Sequence, residues 1–443
     1  MSIVYLLLSV VFIVVLTARL KVHPFIALLL AAILYGLAAG MPLPQIITSV
    51  NEGFGGTLGK IGLIIILGVI IGAFLENSGG AYALAEKVLK LIGKKRVPAT
   101  MGIIGYFVSI PVFADSGFIL LSPLNKSLSK KAGISLAGPA IALALGLTVT
   151  HTLVPPTPGP IAAAGILNAD LGLVMLISLP VSAVALFAVL IFATKYAAKT
   201  YIDPNPEITE SEIETKLKNA PGAMKSTLPV LVPILLIVSK SILLPYQDRL
   251  PVGLFETISF LGEPFIALLM GMFLALLLPK KLNKDMFSAT GWVGKALKDA
   301  SSIILITGAG GIFGNMLQNS NIADLLGNTL ADVHLSIWLP FLLAAAIKSA
   351  QGSSTVAIIT AASIMMPMME SLGFVSELQK AIVVLSIGAG SAVISHANDS
   401  FFWVVTQLSG MDVKMGYRLH SLGTLILGAS AAITLYVIYL FAV

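Results

Sequence analysis

The sequence predicts an all-α polytopic membrane protein built as an inverted repeat, with about ten transmembrane helices and two re-entrant hairpins. Three observations predict it. Of 443 residues, 57% are hydrophobic and 11% charged, and the mean hydropathy is +0.97, whereas a soluble globule carries about a quarter charged residues to clothe its surface. The apolar residues run in long stretches, and a helix of roughly 20 such residues crosses a bilayer; the alternating ten-residue strands of a barrel are absent. Finally, a pattern of residues in one half recurs in the other at constant spacing.

The apolar stretches fall at residues 2–18, 24–41, 61–76, 99–125, 135–166, 171–194, 226–244, 258–278, 301–317, 336–368, 379–408 and 419–442. Each must be helical, because an unpaired backbone group in hydrocarbon is unfavourable by several kcal/mol and a helix pairs them internally. The first stretch lacks the basic flank of a cleavable signal and reads as a span. Arg19 and Lys21 follow it, Lys87, Lys90, Lys94, Lys95 and Arg96 follow the third, and Lys126, Lys130 and Lys131 follow the fourth. Basic clusters face the cytoplasm, so the stretch at 99–125, with clusters on both flanks, cannot be a single crossing. It reads as a re-entrant hairpin with its tip near Pro111 to Gly117, where Pro and Gly interrupt the helix. Residues 135–166 then lead out and 171–194 return. The loop after them carries Pro204, Pro206 and Pro221 and alternating charges, with Thr209-Glu210-Ser211-Glu212 suited to capping a short surface helix. With Lys280, Lys281 and Lys284 inside and Asp248, Asp324 and Asp332 outside, 336–368 becomes a second hairpin, starting from the outside.

Comparison across the loop reveals the repeat. Gly68, Gly72 and Glu76-Asn77-Ser78 recur as Gly310, Gly314 and Gln318-Asn319-Ser320, and Thr150-His151 is matched by Ser395-His396. The division is residues 1–199, a cytoplasmic linker at 200–224, and residues 225–443. An odd number of full spans in each half turns the second upside down relative to the first, and inverted repeats are the signature of alternating access. The glycine pairs themselves read as close helix packing.

An ionisable side chain at membrane depth is a functional candidate by default. Asp115 in the first hairpin, Lys348 in the second, and His151, His396 and Asp399 in interrupted helices qualify, with Glu76 near a span end a weaker sixth. Residues 150–160 include Pro155, Pro156, Pro158 and Pro160, and this run must unwind, either as a bare proline kink or as a site whose freed backbone groups meet an ion or carboxylate. Ser395-His396-Ala397-Asn398-Asp399-Ser400 interrupts the apolar run from 379 to 408; Asp399 is either part of a solvated site or the cap of the next helix. At the hairpin tips, Ser116, Ser353, Ser354 and Thr355 stand at helix starts, which bind anionic oxygens. Lys348 either neutralises a carboxylate there or snorkels to the interface.

Several classes are excluded or disfavoured. With no cysteine, no disulfide framework, thiolate nucleophile or thiolate metal site exists. Gly308-Ala309-Gly310-Gly311 follows no strand and is no nucleotide loop; no zinc motif, nucleophile elbow or Walker loop is present, so no metal, cofactor or catalytic residue is expected. The net charge of +6 lies in short clusters between apolar runs, an orientation signal rather than a nucleic-acid surface. A passive channel would need a continuous polar lining, and the polar groups here cluster at the midplane.

At these residues the chain resembles the gluconate permease family of bacterial proton symporters, over essentially its whole length. The stretches that carry the likeness are Phe113 to Phe118, His151 to Pro160, Gln351 to Ala357 and Ser395 to Ser400, specific together and weak singly. The resemblance implies proton-coupled uptake of a sugar acid, or of another small hydroxy or amino acid carboxylate, through the bacterial inner membrane. It also implies the wider ion-transporter superfamily, whose better-known folds are homodimers with a scaffold and a mobile elevator domain. The chain departs from the family's pattern at Ser116, Thr157 and Phe401, where Val, His and Gly are common; a bulky Phe401 beside the pocket would favour a smaller acid such as glycerate.

The expectation is therefore a secondary transporter whose solute sits at the repeat interface. Its carboxylate would meet Ser353, Ser354 and Lys348, and its hydroxyls Thr152, Thr157, Ser395 and Asn398, with Ser116 and Thr355 at the tips completing the site. Proton coupling would fall to Asp115 or Asp399, assisted by His151 or His396. Unwound carbonyls coordinate sodium as well, so sodium coupling and a D-serine-like substrate are the alternatives.

Overall fold

The computed structural model describes residues 2–93, 96–205, 220–320 and 336–442, and among them every regular element is a helix. The Thr209 to Glu212 cap, Asp324 and Asp332 lie outside the described residues. The first half contains α1 (Ser2–Val14), α2 (Pro24–Ala38), α3 (Leu43–Asn77), α4 (Gly80–Ile92), α5 (Val97–Val108), α6 (Ala114–Lys131), α7 (Ala137–Leu153), α8 (Pro158–Ile166) and α9 (Leu171–Lys195). The second contains α10 (Ala223–Leu243), α11 (Val252–Leu261), α12 (Pro264–Ala275), α13 (Trp292–Asn319), α14 (Trp338–Gln351), α15 (Ser354–Met365), α16 (Glu377–Ala392), α17 (Ser400–Leu408) and α18 (Leu422–Ala442). The sequence chooses many of these ends. Pro24 opens α2 at the position where a missing N–H costs nothing, Asp170 caps α9 by accepting from Leu173 N at 2.7 Å, and Ser376 with Gln379 forms a capping box on α16.

Among the described residues, six helical stretches are long and apolar enough to cross a membrane, and α11 with α12, bent by 63°, makes a seventh if counted as one span. The protein is a multi-pass membrane protein. By length alone this is fewer than the full spans expected, because α1, α2, α5 and α15 are apolar but short. Conversely, α3 runs 35 residues, so the apolar stretch at 61–76 is only its second part. Asn51, Glu52 and the glycines from Gly53 to Gly59 lower the local hydropathy without ending the helix. Gly53 lies at its crossing with α13, where a Cβ would stand 2.6 Å from the carbonyl oxygen of Gly311. Two backbones can touch there only because neither carries a side chain.

The most apolar part of the α7–α8 stretch is 94% buried, against 28% for that containing α10. α7 and α8 are thus the centre of the protein, and α10 lies at an exposed edge. α7 packs closely on α5, with Gly146 against the backbone of Gly102. The order of elements recurs across the chain: a long helix (α3, α13), two short helices joined through a break (α5–α6, α14–α15), a long helix interrupted near its end (α7–α8, α16–α17) and a last long helix (α9, α18).

The breaks differ in detail from expectation. The first hairpin leaves helix only at 109–113, so Asp115 to Gly117 already belong to the first turn of α6. Pro158 and Pro160 do not break a helix but open α8, where proline is tolerated, and the interruption shrinks to 154–157. The second-half interruption spans 393–399, with Ser400 to Trp403 inside α17. Of the glycine pairs, Gly310 and Gly314 pack on Ser363 and Met366 beside α15, helix against helix as expected. Gly68 and Gly72 instead face backbone at two breaks: a Cβ on Gly68 would stand 3.3 Å from Pro156 O, and one on Gly72 would collide with Pro111 O.

Candidate solute site at three helix starts

Four interrupted segments each end in a helix N-terminus, and three of those N-termini line one cavity of about 310 Å3. They are Phe113 to Asp115 at α6, Ser353 to Thr355 at α15, and Asp399 to Phe401 at α17. The first N–H groups of a helix have no intrahelical acceptor, and the helix dipole adds partial positive charge at that end. Three such ends around one cavity make it attractive to an anion. Two of the three are held against each other by Gly352, the C-cap of α14 at φ +94°, a conformation natural only to glycine. A Cβ at Gly352 would collide with Asn398 O. Ser349 O also accepts hydrogen bonds from His396 Nε2 at 2.8 Å and Asn398 Nδ2 at 2.9 Å, which joins the α14–α15 tip to the α16–α17 interruption.

Lys348 and Asp399 form a buried ion pair in the cavity wall, Nζ to Oδ2 at 2.6 Å, with side chains 2% and 9% exposed. Lys348 therefore does not snorkel. Its ammonium also donates to Gly352 O. Asp399 both caps α17, accepting from Phe401 N at 3.0 Å, and accepts from Ser395 Oγ at 2.5 Å, so it is a helix cap and a residue of the cavity wall at once. A carboxylate so surrounded is compensated even out of water. Asp115 is different. It faces Ser400 across the cavity and has no ion-pair partner among the described residues.

The cavity brings together Asp115, His151, Lys348, Ser353, Ser354, Thr355, Ser395, Asn398 and Asp399. It does not include Ser116, Thr152, Thr157 or His396. Ser116 lies against Glu76 on α3. Thr152 is one step round the helix from His151 and turns away, donating to Thr148 O at 3.0 Å. Thr157 donates to Val154 O at 2.7 Å in a narrow neighbouring crevice beside Gly68 and Pro156. His396 packs its ring on Tyr417, with centroids 6.4 Å apart. Among the residues present, Ser354 is committed to Ser391 O at 2.9 Å, while His151 Nδ1 and Asn398 Oδ1 are buried without a hydrogen-bond partner. Buried polar atoms are seldom left unpaired, and these two stand in the cavity wall.

Thr148, Gln351 and Ser400 line the cavity although sequence reasoning passed over them. Thr148 precedes His151 by one helical turn on the same face, a signal that could have found it. Phe401 completes the wall and meets Phe118 edge-on at 6.1 Å. Among the described residues, no group of three or more His, Asp or Glu is arranged to hold a metal ion.

Residues 1–441 match the family model described as GntP family permease. The chain is 37% identical over 442 residues to an uncharacterized permease of Haemophilus influenzae, covering 96% of this chain and 89% of the other. It is 36% identical to a gluconate permease of Pseudomonas aeruginosa, covering 93% and 92%, and 32% identical to the D-serine transporter DsdX of Escherichia coli, covering 95% and 94%. In fold it is similar to the YdaH transporter of Alcanivorax borkumensis, with a TM-score of 0.64 at 16% identity over 90% of this chain and 89% of that one.

Proposed function

This chain belongs to the GntP family of permeases, and from that premise we propose that it takes up a small hydroxy-carboxylate together with a proton across the bacterial inner membrane. The observation that carries the reading is the cavity at the three helix starts, walled by a neutral Lys348–Asp399 pair and faced by one acid, Asp115, without an ion-pair partner among the described residues. With Asp115 ionised, the three charged side chains there sum to −1 − 1 + 1 = −1; with Asp115 protonated they sum to zero. An organic anion is then drawn to the helix N-termini only when a proton accompanies it, which is a physical rule for symport. Carrying one negative charge inward is unfavourable by about 2.3 kcal/mol per 100 mV, and one proton cancels that term. A second proton would let the membrane potential drive accumulation.

The carboxylate sits against the free amides of Ser354 and Thr355, and hydroxyl groups donate to Asn398 Oδ1 and, in the matching tautomer, to His151 Nδ1. Phe401 shortens the cavity in favour of a smaller acid. The halves at 1–199 and 225–443 are inverted repeats, and the two hairpins with the helices broken at 154–157 and 393–399 form the mobile unit. The first three spans of each half hold it, in a homodimer. A second reading is favoured by the same Asp115: an amino acid such as D-serine would place its ammonium there, as the similarity to a D-serine transporter suggests, and sodium would replace the proton.

Proteoliposomes given an imposed pH gradient, with and without sodium, and D-gluconate, D-glycerate or D-serine, test these readings. Proton-driven accumulation of an acid is expected, and Asp115→Asn should abolish it while leaving some solute exchange. Accumulation indifferent to the pH gradient, or an Asp115→Asn variant with unaltered pH dependence, refutes the coupling mechanism.

A further inference from the structure

The interruption at 393–399 is not a relaxed loop. Ile394 stands at φ +49°, a left-handed conformation that a β-branched side chain adopts only when its surroundings impose it. The next residue, Ser395, carries the hydroxyl that reaches Asp399. Its surroundings come from the start of the last helix, where the chain passes through a π-helical turn at Tyr417–Ser421 before α18. There the adjacent His420 and Ser421, and Thr424 one turn on, all bond to Ser395. Ser421 Oγ donates to the Ser395 carbonyl. Thr424 Oγ1 accepts from Ser395 N at 3.0 Å. His420 Nε2 lies 3.2 Å from Ser395 Oγ. Because Ser395 Oγ spends its proton on Asp399 Oδ2 at 2.5 Å, its bond to His420 requires the imidazole to donate, which fixes the Nε2–H form of the ring.

None of these three residues lines the cavity, and His420 and Thr424 are fully buried. Every polar group of Ser395 is nonetheless accounted for by them and by Asp399. The geometry points to His420, Ser421 and Thr424 as positioning residues that clamp the second interruption, aiming Asp399 at Lys348 and the α17 N-terminus at the bound anion. The clamp acts through Ser395: it holds the strained Ile394–Ser395 backbone from one side, and the Ser395 hydroxyl fixes the Asp399 carboxylate on the other. Phe401, which follows this interruption, packs edge-on against the His420 ring at 5.6 Å, so the same histidine supports the cavity wall. The inference rests on the solute-site reading for its effect on transport, but its effect on the ion pair is independent of any solute.

Two measurements test it. In the first, uptake kinetics are taken for whichever of D-gluconate, D-glycerate and D-serine the wild type accumulates in proteoliposomes. Thr424→Val keeps the shape and removes the acceptor for Ser395 N, and should raise KM about ten-fold, the scale of one lost hydrogen bond that supports a charged group. Thr424→Ser should return it to within about two-fold. His420→Leu should act like Thr424→Val, and His420→Gln, which keeps an N–H donor, should recover part of the loss. Thr434→Val, which removes a bond to Ser430 O further along α18, serves as the control and should leave KM unchanged. In the second, the thermodynamic coupling between Lys348→Met and Asp399→Asn is measured by unfolding, in the wild type and again with Thr424→Val or His420→Leu present. A clamp that aims Asp399 requires the coupling to shrink in those backgrounds. Unaltered coupling, or a KM that Thr424→Ser fails to rescue, overturns the inference. If the wild type accumulates none of the three solutes while the coupling still shrinks, the solute reading fails and the clamp stands.

Discussion

Replacing Lys348 with Met should cost about 3 kcal/mol of stability, and replacing Asp399 with Asn in the same chain should return most of it. Met preserves the unbranched stem in a site where Lys348 is 1% exposed, so the change removes charge with little change of packing. It leaves the Asp399 carboxylate 9% exposed and without its ammonium at 2.6 Å. Breaking a buried pair from one side usually costs about 3–5 kcal/mol; the lower end applies here because Ser395 Oγ and Phe401 N still donate to the carboxylate. In the double variant, the side-chain amide that replaces the acid would still accept at the α17 cap, and no lone charge remains. The residual loss should be about 1 kcal/mol, chiefly from the unsatisfied Gly352 carbonyl. Asp399→Asn alone strands the buried ammonium and should cost about 3 kcal/mol as well, so unfolding of the four proteins in detergent micelles should give a coupling energy of about 5 kcal/mol. Single losses that add to within about 0.5 kcal/mol would mean that the two charges do not act on each other, and the account of a neutral wall beside Asp115 would fall with them.

Gly72→Ala drives a methyl into the Pro111 carbonyl oxygen, a rigid backbone group, and should abolish transport and lower the unfolding temperature. Gly62→Ala on the same helix meets only Leu58 at 3.8 Å and should transport normally, with up to about 1 kcal/mol of added helix stability; equal behaviour of the two in uptake and thermal melts would rule out the seating of the first interruption on α3. Phe401→Ala should lengthen the 310 Å3 cavity and shift the ratio of D-gluconate to D-glycerate uptake toward gluconate. An unchanged ratio would remove Phe401 from any role in selecting solute length.

The parts of the fold legible in the sequence were those written in strong local chemistry. Apolar stretches located the helices, and proline with clustered polar residues located the four interruptions within a few residues. What local chemistry could not supply was which face a residue shows and what it meets across the fold. Thr152 and His151 are neighbours in sequence yet lie on different faces of α7, and only one reaches the cavity. The partner of Lys348 lies 51 residues away, beyond the reach of any spacing rule, so snorkelling and pairing could not be told apart. The polar first part of α3 was hidden for a related reason: its glycines weaken hydropathy, but one of them, Gly53, is where the helix touches the backbone of another. His420 stands second in the apolar stretch 419–442, beside Arg418, and nothing local tells that its ring meets Ser395, 25 residues away.

The three convergent helix starts have a consequence for how such a carrier can change. Their attraction for an anion belongs to the main chain, and no single amino-acid replacement deletes it. Side chains around the rim, Phe401, Gln351 and Asn398 among them, can be exchanged one at a time to fit longer, shorter or differently decorated solutes, while the preference for a negatively charged group persists through each step. A lineage built on this plan can explore many cargoes without passing through a form that has lost its grip on all of them.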